Sequence, residues 1–168
     1  GGRENDVTLY AAETQQLVWE AKNVGQDKLH LRVPVSGSSG ASSGDVFYAA
    51  TAHKHVRLYD VRAGQRPVLS IDLDGDLRAA AIQPLSGDRL YVGDTAGGIG
   101  LWDLRRGKRT HVLKGAAGSI RHMQLGAGGS GGGETLACVG LDRFLRMYDA
   151  NQKLSSAVYL KNRLNCCL

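Results

Sequence analysis

Cysteine is scarce and poorly spaced for chemistry. The 168-residue chain holds three, Cys138 and the adjacent Cys166 and Cys167, and none of them makes the C-x2-C spacing of a zinc or redox site. An odd, unmatched set is simplest in a reducing compartment, and no metal site is expected. Long apolar runs are also missing: none approaches the roughly 18 residues of a membrane-spanning helix. The first six residues are polar, with neither a start methionine nor a signal-peptide core, so the chain reads as a fragment. Nor is there an H-E-x-x-H pattern or a Gly-Lys-Ser/Thr phosphate loop. No enzyme, cofactor or small-molecule substrate is therefore expected.

What is present is globular. Apolar residues make up 42% and charged residues 22% of the chain, a composition that can bury a core. The net charge of +5 is uneven. Residues 1–95 hold 10 basic and 12 acidic side chains, whereas residues 96–168 hold 11 and 4, so the basic pole is C-terminal.

One short pattern recurs: an alternating strand that ends in an aromatic, usually followed by Asp. The copies are VTLY (7–10), VRLYD (56–60), IGLWD (99–103) and LRMYD (145–149), and their aromatics Tyr10, Tyr59, Trp102 and Tyr148 are 49, 43 and 46 residues apart. A period of roughly 40–45 with a terminal Trp-Asp is the signature of WD40 propeller blades. Short strands at roughly 8–12 residue spacing fill the intervals, as an all-β repeat requires. The fold expected is thus an all-β WD40 propeller, a partial ring of about three and a half four-stranded blades, forming one domain over 1–168. In the uninterrupted blade, strands a to d are placed at 77–83, 89–93, 98–104 and 110–114. Tyr10, Tyr59, Trp102 and Tyr148 should pack between blades, with Asp60, Asp103 and Asp149 closing the motif. Asp94 and Asp142 fall in turns between strands b and c, and they are read first as turn-builders.

Two Ser/Gly stretches, 36–44 and 126–133, account for the longer intervals and are read as flexible insertions between strands a and b. The second formally matches the G-x-G-x-x-G dinucleotide fingerprint. A strand-like segment follows it where the fingerprint needs a helix, so the linker reading is preferred. His53 and His55 sit at a b-to-c turn with no third ligand, which favours a solvated turn over a metal pair. Cys138 reads as a small buried apolar residue.

The cations carry more information, because a four-stranded antiparallel blade sends its a-to-b and c-to-d loops to one side. Arg62 and Arg66 are assigned to one c-to-d loop, Arg105, Arg106, Lys108 and Arg109 to the next, and Lys153 to the last. Together they form a candidate rim for RNA or an acidic partner.

Two segments lie outside the generic repeat: WEAKNV (19–24) running through LHLRVP (29–34), and VYLKNRLNC (158–166). Both resemble the family of WD repeat-containing protein 74, as do GAAGS (115–119) and GLDRFLR (140–146). The resemblance implies a seven-bladed, non-enzymatic propeller of the nucleolus and nucleus that assists assembly of the large ribosomal subunit. It further implies contact with pre-60S particles, assembly factors and pre-rRNA, and release with the help of an AAA-type ATPase. Lys22, Asn23 and Arg32 in the first segment, and Lys161, Arg163 and Asn165 in the second, carry over as candidate contacts. The reading that competes with it is a generic WD40 adaptor of the ubiquitin-ligase or signalling type, which the repeat permits equally well. A propeller hydrolase would need convergent acids or a His-based nucleophile, and neither is visible. The sequence also departs from the common repeat, with Ala116 where many blades carry His and Ala11 where the first copy would carry Asp.

Overall fold

The computed structural model describes residues 5–25, 33–73, 78–86, 88–127 and 134–167. Every regular element among them is a strand, and no helix is long and apolar enough to cross a membrane. The chain folds as two compact units, Gly1–Arg78 and Ala79–Leu168.

In the first unit, β1 (Thr8–Tyr10) pairs antiparallel with β2 (Leu17–Glu20) as half a blade. A complete blade follows in the order β3 (Gly37–Ser43), β4 (Val46–Thr51), β5 (His55–Asp60) and β6 (Leu69–Asp72). The second unit holds two more blades. One runs β7 (Ala79–Leu85), β8 (Arg89–Asp94), β9 (Ile99–Asp103), β10 (Lys108–Leu113), and the other β11 (Ile120–Ala127), β12 (Glu134–Gly140), β13 (Phe144–Tyr148), β14 (Leu154–Tyr159). These four-stranded antiparallel sheets are the blades of a partial WD40 propeller. Strand periodicity explains them, because alternate side chains such as Val56 and Leu58 against Arg57 and Tyr59 face opposite sides.

The Ser/Gly stretch 36–44 is a correction. It was expected as a flexible insertion, yet Gly37–Ser43 is strand a itself, pairing along its length with β4. Its register shift between Gly37 and Ser39 recurs between Ala79 and Ala81 and between Ile120 and His122. All three innermost strands therefore share one bulge. Pairing with the ladder of β4 overrides the weak strand propensity of Gly and Ser. In the second stretch, Gly126 and Ala127 end β11 rather than begin a linker, and 128–133 lie outside the described residues.

The shared bulge also aligns the inner strands, so that Gly40, opposite Ala49, matches Ile82, opposite Val92, and Met123, opposite Cys138. Ile82 and Met123 are buried core residues. Where Gly40 replaces them the first unit has an open cavity of ≈ 440 Å³, lined among others by Val7, Phe47 and Tyr48. A Cβ on Gly40 would meet only the Tyr48 carbonyl oxygen at 3.7 Å. Gly40→Val is accordingly expected to stabilise the protein by about 1–2 kcal/mol, from a stiffer unfolded chain and new apolar burial. An unchanged or lowered urea midpoint would show that the cavity cannot accept the side chain.

The cores follow the repeat aromatics, with one exception. Tyr59, Trp102 and Tyr148 are 2%, 3% and 1% exposed, but Tyr10, expected beside them, is 63% exposed. The register shift between Leu9 and Tyr10 turns Tyr10 off the packed face. Trp19 of β2 fills the core instead, stacked on Phe47 at 6.5 Å and edge-on to Tyr59 at 5.9 Å. In the second unit Ile99, Leu113, Ile120, Met123, Leu136, Cys138 and Tyr148 form the cluster. Burial pushes the Cys138 thiol up to about 12, so it stays a neutral, unreactive thiol at physiological pH.

Candidate partner-binding surface

Each c-to-d turn is built by the Asp that ends the repeat motif. Asp60 Oδ1 accepts the Arg62 amide at 2.9 Å, Asp103 Oδ1 accepts the Arg105 and Arg106 amides at 3.0 and 3.1 Å, and Asp149 Oδ1 accepts the Lys153 amide at 2.8 Å. These carboxylates therefore satisfy turn amides that would otherwise point at solvent. Asp94 has the same task at the b-to-c turn, where its Oδ1 accepts the amides of Ala96, Gly97 and Gly98 at 2.7–2.8 Å.

The turns display cations, though fewer and less freely than their number suggests. Arg62 and Arg66 lie between β5 and β6 of the first unit. Arg105 and Arg106 lie between β9 and β10 of the second, with Lys153 at the matching turn of the next blade. Lys108 and Arg109 were placed in that loop and instead begin strand β10, paired with Asp103 and Trp102, because the tight turn closes at Gly107 with φ 62°. The rim arginines are largely neutralised. The Arg62 Nε is 3.5 Å from both Asp45 and Asp60, that of Arg105 pairs with Asp88, and that of Arg106 is 3.8 Å from Asp103. Such exposed pairs add little stability, but they leave less free charge for a ligand. No ion pair to Arg66, Lys108, Arg109 or Lys153 is found among the described residues.

The residues carried over from the two flanking segments fall into different settings. Asn23 is half-buried and occupied internally, donating to the Val33 carbonyl at 2.7 Å and accepting from Arg57 Nη1 at 2.9 Å. The Lys22 amide donates to Gln65 O at 2.7 Å, leaving its exposed side chain outward. Lys161, Arg163 and Asn165 are all exposed along the last segment, and Arg32 lies outside the described residues.

Two functional-looking charges were missed by the sequence reading, Arg57 and Arg146. They occupy the same repeat position and are 1% and 7% exposed. Arg146 pairs with Asp142 and sits 4.9 Å from the Phe144 ring centroid. Arg57 has Asn23 instead of a carboxylate, and its Nε finds no hydrogen-bond partner. Arg at the second position of both VRLYD and LRMYD was the available signal. Among the described residues no group of three or more His, Cys, Asp or Glu is arranged to hold a metal ion.

Four-stranded antiparallel sheets that each end strand c in an aromatic and an Asp-capped turn define a WD-repeat protein. No family model matches the chain. Over its whole length, however, it is 35% identical to human (Homo sapiens) WD repeat-containing protein 74, covering 44% of that protein. It is also 30% identical to the ribosome biogenesis protein nsa1 of Schizosaccharomyces pombe over 96% of the chain and 49% of that protein. The chain thus shows the resemblance to the WD repeat-containing protein 74 family along all its length, while spanning less than half the length of these relatives. Among solved structures, the crystal structure of the computationally designed Ika8 protein matches with a TM-score of 0.71 at 13% identity, covering 99% of this chain and 47% of that one. That last likeness concerns the fold alone.

Proposed function

We propose that this chain serves in ribosome biogenesis as a non-enzymatic WD-repeat scaffold of the nucleolus and nucleus, acting on assembling pre-60S particles. The observation that carries the reading is its similarity to WD repeat-containing protein 74 and to a ribosome biogenesis protein across nearly the whole chain. Rigid blades present the c-to-d cations to pre-rRNA or to acidic segments of assembly factors, and an AAA-type ATPase drives release. Nothing observed favours the generic adaptor over this reading.

The test is co-sedimentation of the tagged chain with large-subunit precursors in a nuclear extract. The chain should travel with the particles and dissociate as salt rises, because a charged contact is screened. Reversing Arg105, Arg106, Lys108 and Arg109 to Glu should abolish the association. Undiminished association of that variant would remove the rim and leave the family role, whereas a wild-type chain that never enters the particle fractions would remove the role itself.

A further inference from the structure

The densest run of cations in the second unit lies on and beside one element, strand β10. Residues 104–114 carry five Lys or Arg and no acid. Arg105 and Arg106 are engaged with Asp88 and Asp103, which leaves Lys108, Arg109 and Lys114 as the charges with no ion pair among the described residues. All three are exposed.

β10 is also the last strand of its sheet. It pairs with β9 on one side only, and no strand pairs with its outer side among the described residues. An edge strand offers a row of backbone donors and acceptors to any extended chain laid beside it. The strands at the matching last position of the other two blades differ in charge: β14 (LSSAVY) has no ionisable group except a tyrosine, and β6 (LSID) carries an acid. Val112, 42% exposed between the cations, adds an apolar contact to the same edge.

From this edge we infer that β10 is a docking strand for an extended acidic segment of a protein, which adds to the sheet as a further antiparallel or parallel strand. Main-chain hydrogen bonds hold the segment, and its carboxylates pair with Lys108, Arg109 and Lys114. Protein is favoured over RNA by two observations. The edge offers no exposed Phe, Tyr or Trp on which bases could stack: its one ring is the His111 imidazole, and the nearest repeat aromatic, Trp102, is 3% exposed. The open ladder, moreover, presents both backbone donors and acceptors, which another strand can match and a phosphodiester backbone, with acceptors alone, cannot. The inference rests on the proposed role, whose assembly-factor partner it assigns to a chemical class.

The experiment titrates the purified whole chain into a fluorescent alternating Glu-Val decapeptide and follows anisotropy. The controls are an alternating Glu-Pro decapeptide, which has the same charge but cannot continue a ladder, and a labelled oligouridylate decamer. The Glu-Val peptide should bind about tenfold more tightly than the Glu-Pro peptide and than the RNA. Lys108→Glu with Arg109→Glu and Lys114→Glu should abolish its binding. In the wild-type chain, amide hydrogen exchange over residues 108–113 should slow when the Glu-Val peptide is bound, a readout independent of whether the variant folds. Equal binding of the two peptides, tighter binding of the RNA, or protection confined to other residues overturns the inference. No ribosomal particle is present, so failure here is distinct from failure of the particle association itself.

Discussion

Gly97→Ala is expected to lower stability by about 3–5 kcal/mol, one of the largest effects of any single methyl in the protein. Gly97 occupies the b-to-c turn of the third repeat at φ 106°, where L side chains are rarely found. An added Cβ would lie 2.8 Å from the Gly118 nitrogen, 2.9 Å from its oxygen and 3.0 Å from the Ala117 Cα. All three are backbone atoms of the segment that leads into β11, so no flexible side chain can yield. Gly118 also donates its amide to Ala96 O at 3.1 Å, tying the two turns together. Gly107 supplies the control: it has φ 62° with nothing within 4 Å of the built Cβ, so Gly107→Ala should cost only the conformational share, about 1 kcal/mol. Urea denaturation of the two variants measures the difference. Similar midpoints would mean that the close approach of the two turns is not formed in solution.

Asp142→Ala is expected to cost about 3–5 kcal/mol, because it strands a buried guanidinium. The side chains of Arg146 and Asp142 are 8% and 12% exposed. The same carboxylate accepts the Ala117 amide at 3.2 Å and the Phe144 amide at 3.3 Å, so one residue joins the segment leading into β11, the b-to-c turn and strand β13. The cost has two parts that a double variant separates. With Arg146→Met added, the uncompensated charge disappears and about 2 kcal/mol or more should return, leaving the roughly 1 kcal/mol of the lost amide contacts. If the double variant is no more stable than Asp142→Ala alone, the pair contributes nothing and the turn hydrogen bonds account for the whole effect. Tandem WD repeats commonly use a His at the position of Ala116. Here Asp142 instead accepts the amide of the neighbouring Ala117 and pairs with Arg146.

Arg143 makes the same point about the turns from the other side. Lys54, Gly97 and Arg143 each lie five residues before the repeat aromatic, and all have positive φ, 70°, 106° and 69°. Only the middle one is a glycine. The left-handed position is thus a property of the repeat that two blades accept at the expense of strain in a non-glycine residue.

Repeat period, strand content and terminal aromatic were legible in the sequence because each is a local property of spacing and side-chain type. The strand boundaries of the uninterrupted blade differ from the expected ones by a few residues at most. The family resemblance was carried by 19–34 and 158–166, and Asn23 shows why such a segment is distinctive: it joins the Val33 carbonyl to the buried Arg57. The Ser/Gly stretch was misread because composition describes how a segment behaves alone. Gly37–Ser43 is a strand only because β4 lies beside it with open hydrogen bonds.

Charge shows the same division. That cations concentrate in the C-terminal half, with the densest run at 105–109, is already visible along the chain, since both are counts. Which of them are free depends on the folded neighbours. Asp88 comes from a different turn to reach Arg105, Asp142 holds Arg146 inside the blade, and the turn at Gly107 lifts Lys108 and Arg109 onto an edge strand. The physical reason is that period and propensity act within a few residues of chain, whereas the neutralisation of a charge and the exposure of a strand edge depend on what folding brings alongside.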